Sequence, residues 1–549
     1  MLKSRRSAED GCRGLRGRDA VRGSALGGIS TDRSESSCPT TATDTLTRPQ
    51  LSGDDGRRQP PSSAPTRRTG ALRSAVRLVS VLAALAAFAG VEVAPATAEG
   101  WRDGESGVTS PAVALDWNAT AVDAVRAARV VDPPGTAARP IYQTEGLLYM
   151  SYVQAAVYDA VMKISHRYEP YHDFPAASGH ASLPAAVIAA AYDTLVLYLG
   201  DPDGVLAAKY AGAIAALPAD QATARGIAVG QAAAADIEAL RAGDGRNAPV
   251  STAYGAGPLQ AGVWVFAPPH SLQSAQTPWM AFMQPFLLAS TAQFRAPSPP
   301  ALTSAQYAAD FNETKAYGAV NSSVRTPEQT AIAQFWNANA INVDNQTLRD
   351  IATQHAMDLV DTVRLLAMGD LVMTDAGMAC FDSKYTYQQW RPITAIRNAD
   401  LAGNPAITAD PTWSPLLTTP NHPEYPAQHG CITSALAHVI STALGTDNIN
   451  ATIPGAQGGA STLTTSQTFA TVNDLEDQLV NARVWAGLHF RNSVLAGETL
   501  GTHVADWTLK RYFQPTNQDD DNDRGQNPLQ QTQRGPTRAL SVGPIVSTL

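Results

Sequence analysis

The sequence is poor in cysteine and in charged residues. It holds 4 cysteines among 549 residues, and charged residues make up 16% of the chain. No Cys-x-x-Cys pair occurs, which argues against a thiolate metal site. The formal net charge is −9, so no dominant basic surface can neutralise a nucleic-acid backbone. With 44% hydrophobic residues, the composition is that of a mostly globular chain with room for two or three compact units.

Long apolar runs are also scarce. The run from Leu78 to Val91 follows Arg73 and Arg77 and precedes the small residues Ala96 to Ala98. This order predicts a secretory signal cleaved near Ala98, and therefore a secreted or extracytoplasmic protein. A membrane anchor is the alternative, but it needs about 20 apolar residues. We predict residues 1–98 to be a disordered N-terminus plus this signal-like segment, with no stable membrane insertion after processing.

Strand-like alternation is rare, whereas apolar residues at helical spacing are common. We therefore predict an all-α fold of two helical bundles with long irregular connectors. The segment 349–390 is read as two helices or as one bent helix. The other predicted helices cover residues 146–164, 183–199, 218–242, 326–343, 432–444, 474–490 and 497–513.

A stretch rich in Pro, Ser, Thr and Gly, residues 245–305, reads as a long connector. We divide the chain near it. Residues 99–320 are predicted to form the N-terminal helical bundle with the connector, and residues 321–515 the C-terminal bundle. Residues 516–549 are predicted to be a polar tail.

Cations and imidazoles concentrate in three segments of the second predicted bundle, "KYTYQQWRP" (384–392), "PAQHG" (426–430) and "RVWAGLH" (483–489). Each segment has a structural explanation, such as a solvated lysine, a helix-end arginine or a core histidine. Unpaired charge is nevertheless costly inside apolar helices. Because acidic residues are few between 399 and 482, a shared anion is the simplest partner for these groups.

Spacing supports a common anion in part. On a continuous helix, seven residues make about 700°, so Lys384 and Arg391 would share a face about 10.5 Å apart. Pro392 disfavours helix at Arg391, so the helix is expected to break there.

The third segment needs a backbone that departs from a helix. Arg483 and His489 are six residues apart, which separates them by about 120° around a helix. Gly487 permits the departure that would bring them to one point. His429 is expected in the first turn of its own helix, where backbone N–H groups and the helix dipole favour an anion.

The order K-x6-R-P, P-x-x-H and R-x5-H resembles the superfamily of type 2 phosphatidic acid phosphatases and vanadium haloperoxidases. The helical content and the long region before the motifs resemble vanadium-dependent haloperoxidases more than the smaller phosphatases. The resemblance implies a vanadate cofactor and the following roles. His429 would be the acid/base, and His489 would bind vanadium or, in a phosphatase, attack phosphorus. Lys384, Arg391 and Arg483 would hold the oxyanion's oxygens, and Lys384 would polarise bound peroxide.

The chain departs from the family pattern P-S-G-H. Ala427 replaces the serine and removes a hydroxyl donor. Gln428 replaces the glycine; its backbone N–H can still donate, and its amide can contact or crowd the anion. The family often has an acid four residues after the last histidine, where this chain has Ser493. His489 would then be oriented by other groups.

In the family, the position of His422 is histidine in bromide-oxidising members and phenylalanine in chloride-oxidising ones. We therefore predict oxidation of halide by hydrogen peroxide, with bromide and iodide favoured over chloride, and a small organic acceptor as a further partner. Phe381 would supply an apolar wall. Alternatively, His422 only caps the turn at Pro423.

Two other functions stay open at this stage. The first is a secreted acid phosphatase that forms a phosphohistidine at His489, and the second is a helical anion-binding protein without turnover. Cys380 and Cys431 flank the first two motifs, so we expect them to be close, either as a disulfide or as two buried free thiols.

Overall fold

A computed structural model of the chain describes residues 110–131, 137–269, 275–455 and 466–516. Residues 1–98, predicted as a disordered N-terminus with a signal-like segment, and the predicted tail beyond residue 516 lie outside the described residues. No helix in the described ranges is both long enough and apolar enough to cross a bilayer. The described residues belong to one compact unit, Val93–Leu549. The boundary between residues 320 and 321 stays a prediction.

The architecture is helical, which confirms the predicted all-α fold. The described ranges contain thirteen α-helices. In chain order they are α1 (Ala112–Ala127), α2 (Gln143–Ser165), α3 (Leu183–Leu199), α4 (Val205–Ala215), α5 (Gln221–Leu240), α6 (Ala305–Tyr317), α7 (Pro327–Phe335), α8 (Ala340–Gln354), α9 (Leu359–Tyr387), α10 (Pro392–Arg397), α11 (Gln428–Leu444), α12 (Val472–Trp485) and α13 (Arg491–Leu509).

Short 3-10 helices and strands complete the described secondary structure. The 3-10 helices are Pro278–Phe282 and Ala399–Ala402. Two antiparallel strand pairs are present, β1 (Arg129–Val130) with β2 (Arg139–Pro140), and β3 (Ala451–Ile453) with β4 (Gln467–Phe469).

The core forms around two long helices, α2 and α9. Both are buried on nearly every face, which suits their apolar residues all around the helix. Helix α9 begins at the N-cap Asp358, whose side chain accepts a hydrogen bond of 2.9 Å from Asp361 N. It packs against α2, α11 and α13, and its last turn carries Lys384. The site is therefore mounted on the central element of the fold.

The single helix predicted for residues 326–343 is wrong, because the chain breaks between α7 and α8. The predicted cap at Thr326 is present and accepts from Gln329 N at 3.1 Å. At the break, Trp336 Nε1 donates to Gln478 Oε1 (2.9 Å), and the Trp336 carbonyl accepts from Arg483 Nη1 (3.0 Å). These tertiary hydrogen bonds replace helical ones. The segment 349–390 is two helices, separated between Gln354 and Leu359.

The described residues 245–269 and 275–304 of the predicted connector (residues 245–305) are irregular apart from the first 3-10 helix, and α6 begins at Ala305. A buried carboxylate on α9 orders part of it. Asp375 accepts hydrogen bonds from three consecutive backbone N–H groups at 2.7–2.9 Å, those of Phe286, Leu287 and Leu288. The connector is thereby fixed to the helix that carries Lys384.

Helices α11 and α13 pack at close range beside the site. A Cβ on Gly497 would lie 2.5 Å from the carbonyl oxygen of Ala427, the N-cap residue of α11. Only a residue without a side chain allows this approach. The contact sets the position of the α11 N-terminus against α13.

A pair of buried carboxyl groups lies elsewhere in the core, on α8 and α9. Burial, followed by the charge of Asp370, raises the pKa of Asp344 to about 8. Burial likewise raises the pKa of Asp370 to about 7, although Asn345 donates to it at 3.0 Å. One oxygen of each carboxyl has no hydrogen-bond partner in the described residues. The pair is therefore stable in the folded protein only when largely protonated.

This pair predicts a stability that falls as the pH rises. Below the unfolded-state pKa near 3.8, both states are protonated and the pair has no effect. Above it, the unfolded chain releases its protons first, so stability declines up to pH 8. We expect Asp344→Asn to stabilise the protein at pH 8, by at least about 1.4 kcal/mol relative to its effect at pH 5. Denaturant unfolding at both pH values tests this, with the exposed Asp203→Asn as control. Equal effects at the two pH values would contradict it.

Candidate oxyanion site

The structure brings the three motif segments together. Lys384 lies in the last turn of α9, Arg391 precedes α10, His429 is in the first turn of α11, and Arg483 is in the last turn of α12. His489 follows in the loop before α13. The cations and His489 are at most 1% exposed. His429 is partly exposed, although its Nε2 atom is buried.

The predicted helix break at Arg391 is confirmed. Helix α9 ends at Tyr387, and Gln388 adopts a left-handed conformation with φ 48°. Arg391 is the N-cap of α10, and Pro392 occupies its first helical position. With this break, Arg391 lies at the site, where its Nη1 is 3.1 Å from His489 Nε2.

The departure from helix at Gly487 is also confirmed. Helix α12 ends at Trp485, and Gly487 has φ +74°. The left-handed residue reverses the chain, so that His489 returns to the buried side that Arg483 occupies. The Arg483 guanidinium and the His489 imidazole then face the same site.

His489 is held on both ring nitrogens. Its Nδ1 lies 3.0 Å from Glu424 Oε1, and its Nε2 lies 3.1 Å from Arg391 Nη1. Glu424 Oε1 already accepts from Phe490 N at 3.0 Å, so the Nδ1 atom is the donor of the first contact. Since a guanidinium only donates, Nε2 carries the lone pair. Burial, followed by Arg391, holds the pKa of His489 well below its usual range, and a neutral imidazole with a free lone pair has the chemistry of a ligand or a nucleophile.

Glu424 is the functional residue that the sequence reasoning missed. It is fully buried, and it takes the orienting role that the acid four residues after the histidine has in the family pattern. The residue at that position, Ser493, instead donates to the Glu424 carbonyl at 3.3 Å. The sequence did contain a signal for this role. Glu424 lies two residues before the second motif, between Pro423 and Tyr425. A carboxylate with such neighbours on both sides is unusual for a solvated surface loop.

The role of Glu424 can be separated from its charge. Removing a carboxylate from a cationic site should by itself tighten anion binding. If Glu424 positions His489, however, Glu424→Ala should weaken oxyanion binding by about 10–100-fold. Glu424→Gln keeps an acceptor oxygen and should lose less. Calorimetric titration with inorganic phosphate and vanadate measures this, and tighter binding by the alanine variant would rule out the positioning role.

Lys384 and Arg391 also organise the loop before α11. Lys384 Nζ donates to the carbonyls of Pro423 and Glu424, at 3.0 Å each, and to that of Pro426. Arg391 Nε donates to the His422 carbonyl at 2.8 Å. The lysine therefore supplies positive charge while its N–H groups hold the loop, and its direct contact with oxyanion oxygens stays a prediction.

His422 lies beside the cationic groups. Its Nδ1 is 3.1 Å from Arg391 Nη2, and its ring is 5.6 Å from the ring of Phe381. The expected apolar wall is thus in contact with His422. Burial, followed by Arg391 and Lys384, keeps the pKa of His422 well below its usual range, so a neutral imidazole lies at this edge of the site.

Polar atoms without a hydrogen-bond partner lie on two further elements of the site. Arg483 Nε and His429 Nε2 are buried and have no hydrogen-bond partner in the described residues. The first N–H groups of α11 have no partner within the helix, and Ala427 cannot cap them with its side chain. Gln428 has unpaired amide atoms, but its Nε2 lies against Gly377 of α9. The backbone of Gln428 lies at the N-terminus of α11, whereas its side-chain amide packs toward α9.

The electrostatics of the site favour an anion. Burial lowers the pKa of Lys384, and it lowers the pKa of Arg391 to about 10 and of Arg483 to about 9. Glu424 is the carboxyl group whose charge acts on both Lys384 and Arg391. Three cations against one carboxyl leave a net positive charge in a buried space, which a tetrahedral oxyanion would offset.

The residues present fit vanadate on chemical grounds. A neutral imidazole whose Nε2 carries a lone pair is a suitable ligand, and unpaired Arg483 Nε and helix N–H groups are suitable donors to oxyanion oxygens. Burial, followed by Arg483, holds the pKa of His429 well below its usual range. His429 is consequently a neutral base at the open side of the site.

The two cysteines of the described residues are close, as expected, and both are free and buried. Cys380 Sγ lies 3.6 Å from the Pro426 carbonyl. Burial, followed by the Cys380 side chain, raises the pKa of Cys431 well above its usual range. Of the two expected arrangements, the structure has the free thiols.

The protein is helical and has a buried cationic site. Lys384, Arg391 and Arg483, together called the cationic cradle, surround the neutral His489, which Glu424 orients. Comparison with known proteins agrees with the helical fold. The family model of the VCPO second helical-bundle domain matches residues 364–518, which include all three motifs. Vanadium chloroperoxidase of Curvularia inaequalis is 27% identical over 212 residues, which is 31% of this chain. The match covers 34% of that relative, so the chain spans about a third of its length.

Solved structures extend the likeness to the fold. A bacterial vanadium-dependent iodoperoxidase aligns with a TM-score of 0.59 at 18% identity, covering 73% of this chain and 97% of its own. A bacterial vanadium-dependent chloroperoxidase in holo form aligns with a TM-score of 0.54 at 19% identity, covering 69% and 94%. The resemblance of the motif-bearing segment to the superfamily of vanadium haloperoxidases and type 2 phosphatidic acid phosphatases is confirmed.

Proposed function

We propose that the protein is a vanadate-dependent haloperoxidase that oxidises halide with hydrogen peroxide, with bromide and iodide favoured. The balanced reaction consumes hydrogen peroxide, a halide ion and a proton, and it releases hypohalous acid and water. The observation that carries the proposal is His489, whose Nδ1 is fixed by Glu424 so that Nε2 offers its lone pair inside the cationic cradle.

His489 Nε2 would hold the vanadium, and Arg391, Arg483 and the first N–H groups of α11 would hold the oxygens. Bound vanadate would supply the Lewis acidity that activates peroxide without a change in oxidation state. Neutral His429 accepts a proton from entering peroxide at its unpaired Nε2. Lys384 raises the local positive charge while it keeps the loop in place.

An assay of the purified full chain with and without vanadate tests the proposal. Halogenation of a phenol dye should require vanadate, hydrogen peroxide and halide together. The same preparation is tested for hydrolysis of a phosphate ester, because a neutral Nε2 in an oxyanion cradle also fits attack on phosphorus. Vanadate-inhibited hydrolysis without halide oxidation would assign a phosphatase, and oxyanion binding without either activity would assign a binding protein.

His422 predicts the halide preference. We expect bromide and iodide to be oxidised faster than chloride at matched pH. His422→Phe should raise the chloride rate relative to bromide by about tenfold, equivalent to about 1.4 kcal/mol in the barrier. His438→Phe, on the outer part of α11, is the control. A chloride rate equal to the bromide rate that is unchanged in His422→Phe would remove this role.

We also propose that the protein acts outside the cytoplasm. The support is the order of Arg73 and Arg77, the apolar run and the small residues ending at Ala98. Expression of the full chain, followed by N-terminal sequencing of the mature protein, tests this. Retention of an uncleaved chain in the cytoplasm would contradict it.

A further inference from the structure

A small cavity lies beside Glu424, with room for about one water molecule. Its walls include Gln389, just after α9, Asn492 in the first turn of α13, and Asp310 on α6. Glu424 therefore borders two spaces. Its Oε1 holds His489 and Phe490 N, whereas its Oε2 is unpaired and the residue also lines this cavity.

Three side-chain oxygens of the cavity walls have no hydrogen-bond partner in the described residues. They are Glu424 Oε2, Gln389 Oε1 and Asn492 Oδ1, and each atom is buried. Glu424 and Gln389 are at least nine-tenths buried as whole residues. A buried acceptor without a donor costs about 1–3 kcal/mol, so the arrangement calls for an occupant that donates hydrogen bonds.

The charges and hydrogen-bonding groups of the cavity walls indicate whether an anion, a cation or a water molecule binds there. An anion is disfavoured because the unpaired atoms are acceptors. A cation is disfavoured because the charges of Arg391 and Lys384 act on Glu424 from the neighbouring site. A water molecule donates two hydrogen bonds, so it can satisfy the Glu424 carboxyl oxygen and one amide oxygen, and it can accept a hydrogen bond from the other amide when that amide is turned to present its NH2 group.

Backbone contacts tie both amide residues to other residues of the cavity walls. Glu424 N donates to the Gln389 carbonyl at 2.9 Å. Asn492 N donates to Asp310 Oδ2 at 3.2 Å, which fixes the start of α13 next to the cavity. The two amide side chains are thus carried by backbone that is already tied to the cavity wall.

We propose that this cavity binds one ordered water, and that Gln389 and Asn492 use it to fix the Glu424 carboxyl group and thereby orient His489. The inference rests on the proposed oxyanion site and adds two positioning residues to it. Neither residue touches the oxyanion. Their effect passes through the water to Glu424 and then to the Nδ1–H of the histidine.

The test uses the full chain and two near-isosteric variants, Gln389→Met and Asn492→Leu, which remove the amides while filling the same space. Asn312→Leu, an exposed residue of α6, is the matched control. We expect both cavity variants to bind inorganic phosphate and vanadate at least about tenfold more weakly than wild type and the control. The 15N signals of His489 should lose the uniform Nδ1–H tautomer.

A crystal structure of the wild type, grown with a rubidium salt, gives the readout that does not depend on the oxyanion. Water density between Glu424 Oε2 and the two amides supports the inference. Anomalous rubidium signal in the cavity, an empty cavity, or cavity variants with wild-type affinity and tautomer would each overturn it. If the wild type binds no oxyanion, the proposed function fails, and the density and the tautomer still decide this inference.

Discussion

Replacing His489 with alanine should abolish vanadate-dependent halide oxidation and leave the helical fold in place. The variant removes the Nε2 atom that faces the cationic cradle. Replacing a residue that only orients a metal ligand lowers activity by up to about a hundredfold, so loss of the ligand itself should lower activity by more than that. Circular dichroism should be unchanged, because the helices around His489 are held by their own packing.

His438→Ala is the control for this variant, since His438 is a partly exposed histidine of α11 outside the cradle. Activity and vanadate affinity are measured on both proteins over a range of vanadate concentrations. Full peroxidase activity of His489→Ala at low vanadate would show that another residue holds the cofactor.

Gly487→Ala should be the most destabilising of the conservative substitutions near the site. Its φ of +74° costs an alanine about 1–2 kcal/mol. The new Cβ would also lie 2.4 Å from the Gly318 carbonyl oxygen and 2.9 Å from Pro415 Cβ. Because backbone must move to relieve these contacts, we expect a total loss of about 2–4 kcal/mol in the free energy of unfolding.

Gly445→Ala is the control that measures backbone strain without a steric clash of the new Cβ atom. Gly445 has φ +67° at the end of α11, but a Cβ added there would have nothing within 4 Å of it among the described residues. We expect about 1 kcal/mol for this variant in denaturant unfolding, with oxyanion affinity unchanged. Gly487→Ala should lose affinity as well, because it lies between Arg483 and His489. Equal losses of stability in the two variants would show that the collision is relieved without cost.

Local patterns predicted the parts of the site that depend on neighbouring residues in the chain. Pro392 predicted the helix break at Arg391, Gly487 predicted the reversal before His489, and the position of His429 after Pro426 predicted the first turn of α11. Each of these follows from the backbone preferences of one or two residues.

Contacts between distant residues were not predictable in the same way. Glu424 and His489 are 65 residues apart, and no periodicity connects them. The break after α7 depends on hydrogen bonds from Trp336 to Gln478 and from Arg483 to Trp336, which override the helical preference of the segment. Helices α1, α4 and α6 were also not predicted from the sequence.

The position of Lys384 in the last turn of α9 limits the local unfolding of the site. Helix α9 spans 29 residues, and 25 of them are buried between α2, α11 and α13. Fluctuations that expose its last turn would have to separate that helix from the centre of the core, so they cost nearly as much as global unfolding. Backbone amides around Lys384 should therefore exchange with solvent as slowly as the core itself. We therefore expect the proposed oxyanion site to be rigid, and we expect an oxyanion to enter and leave through the partly exposed side at His429.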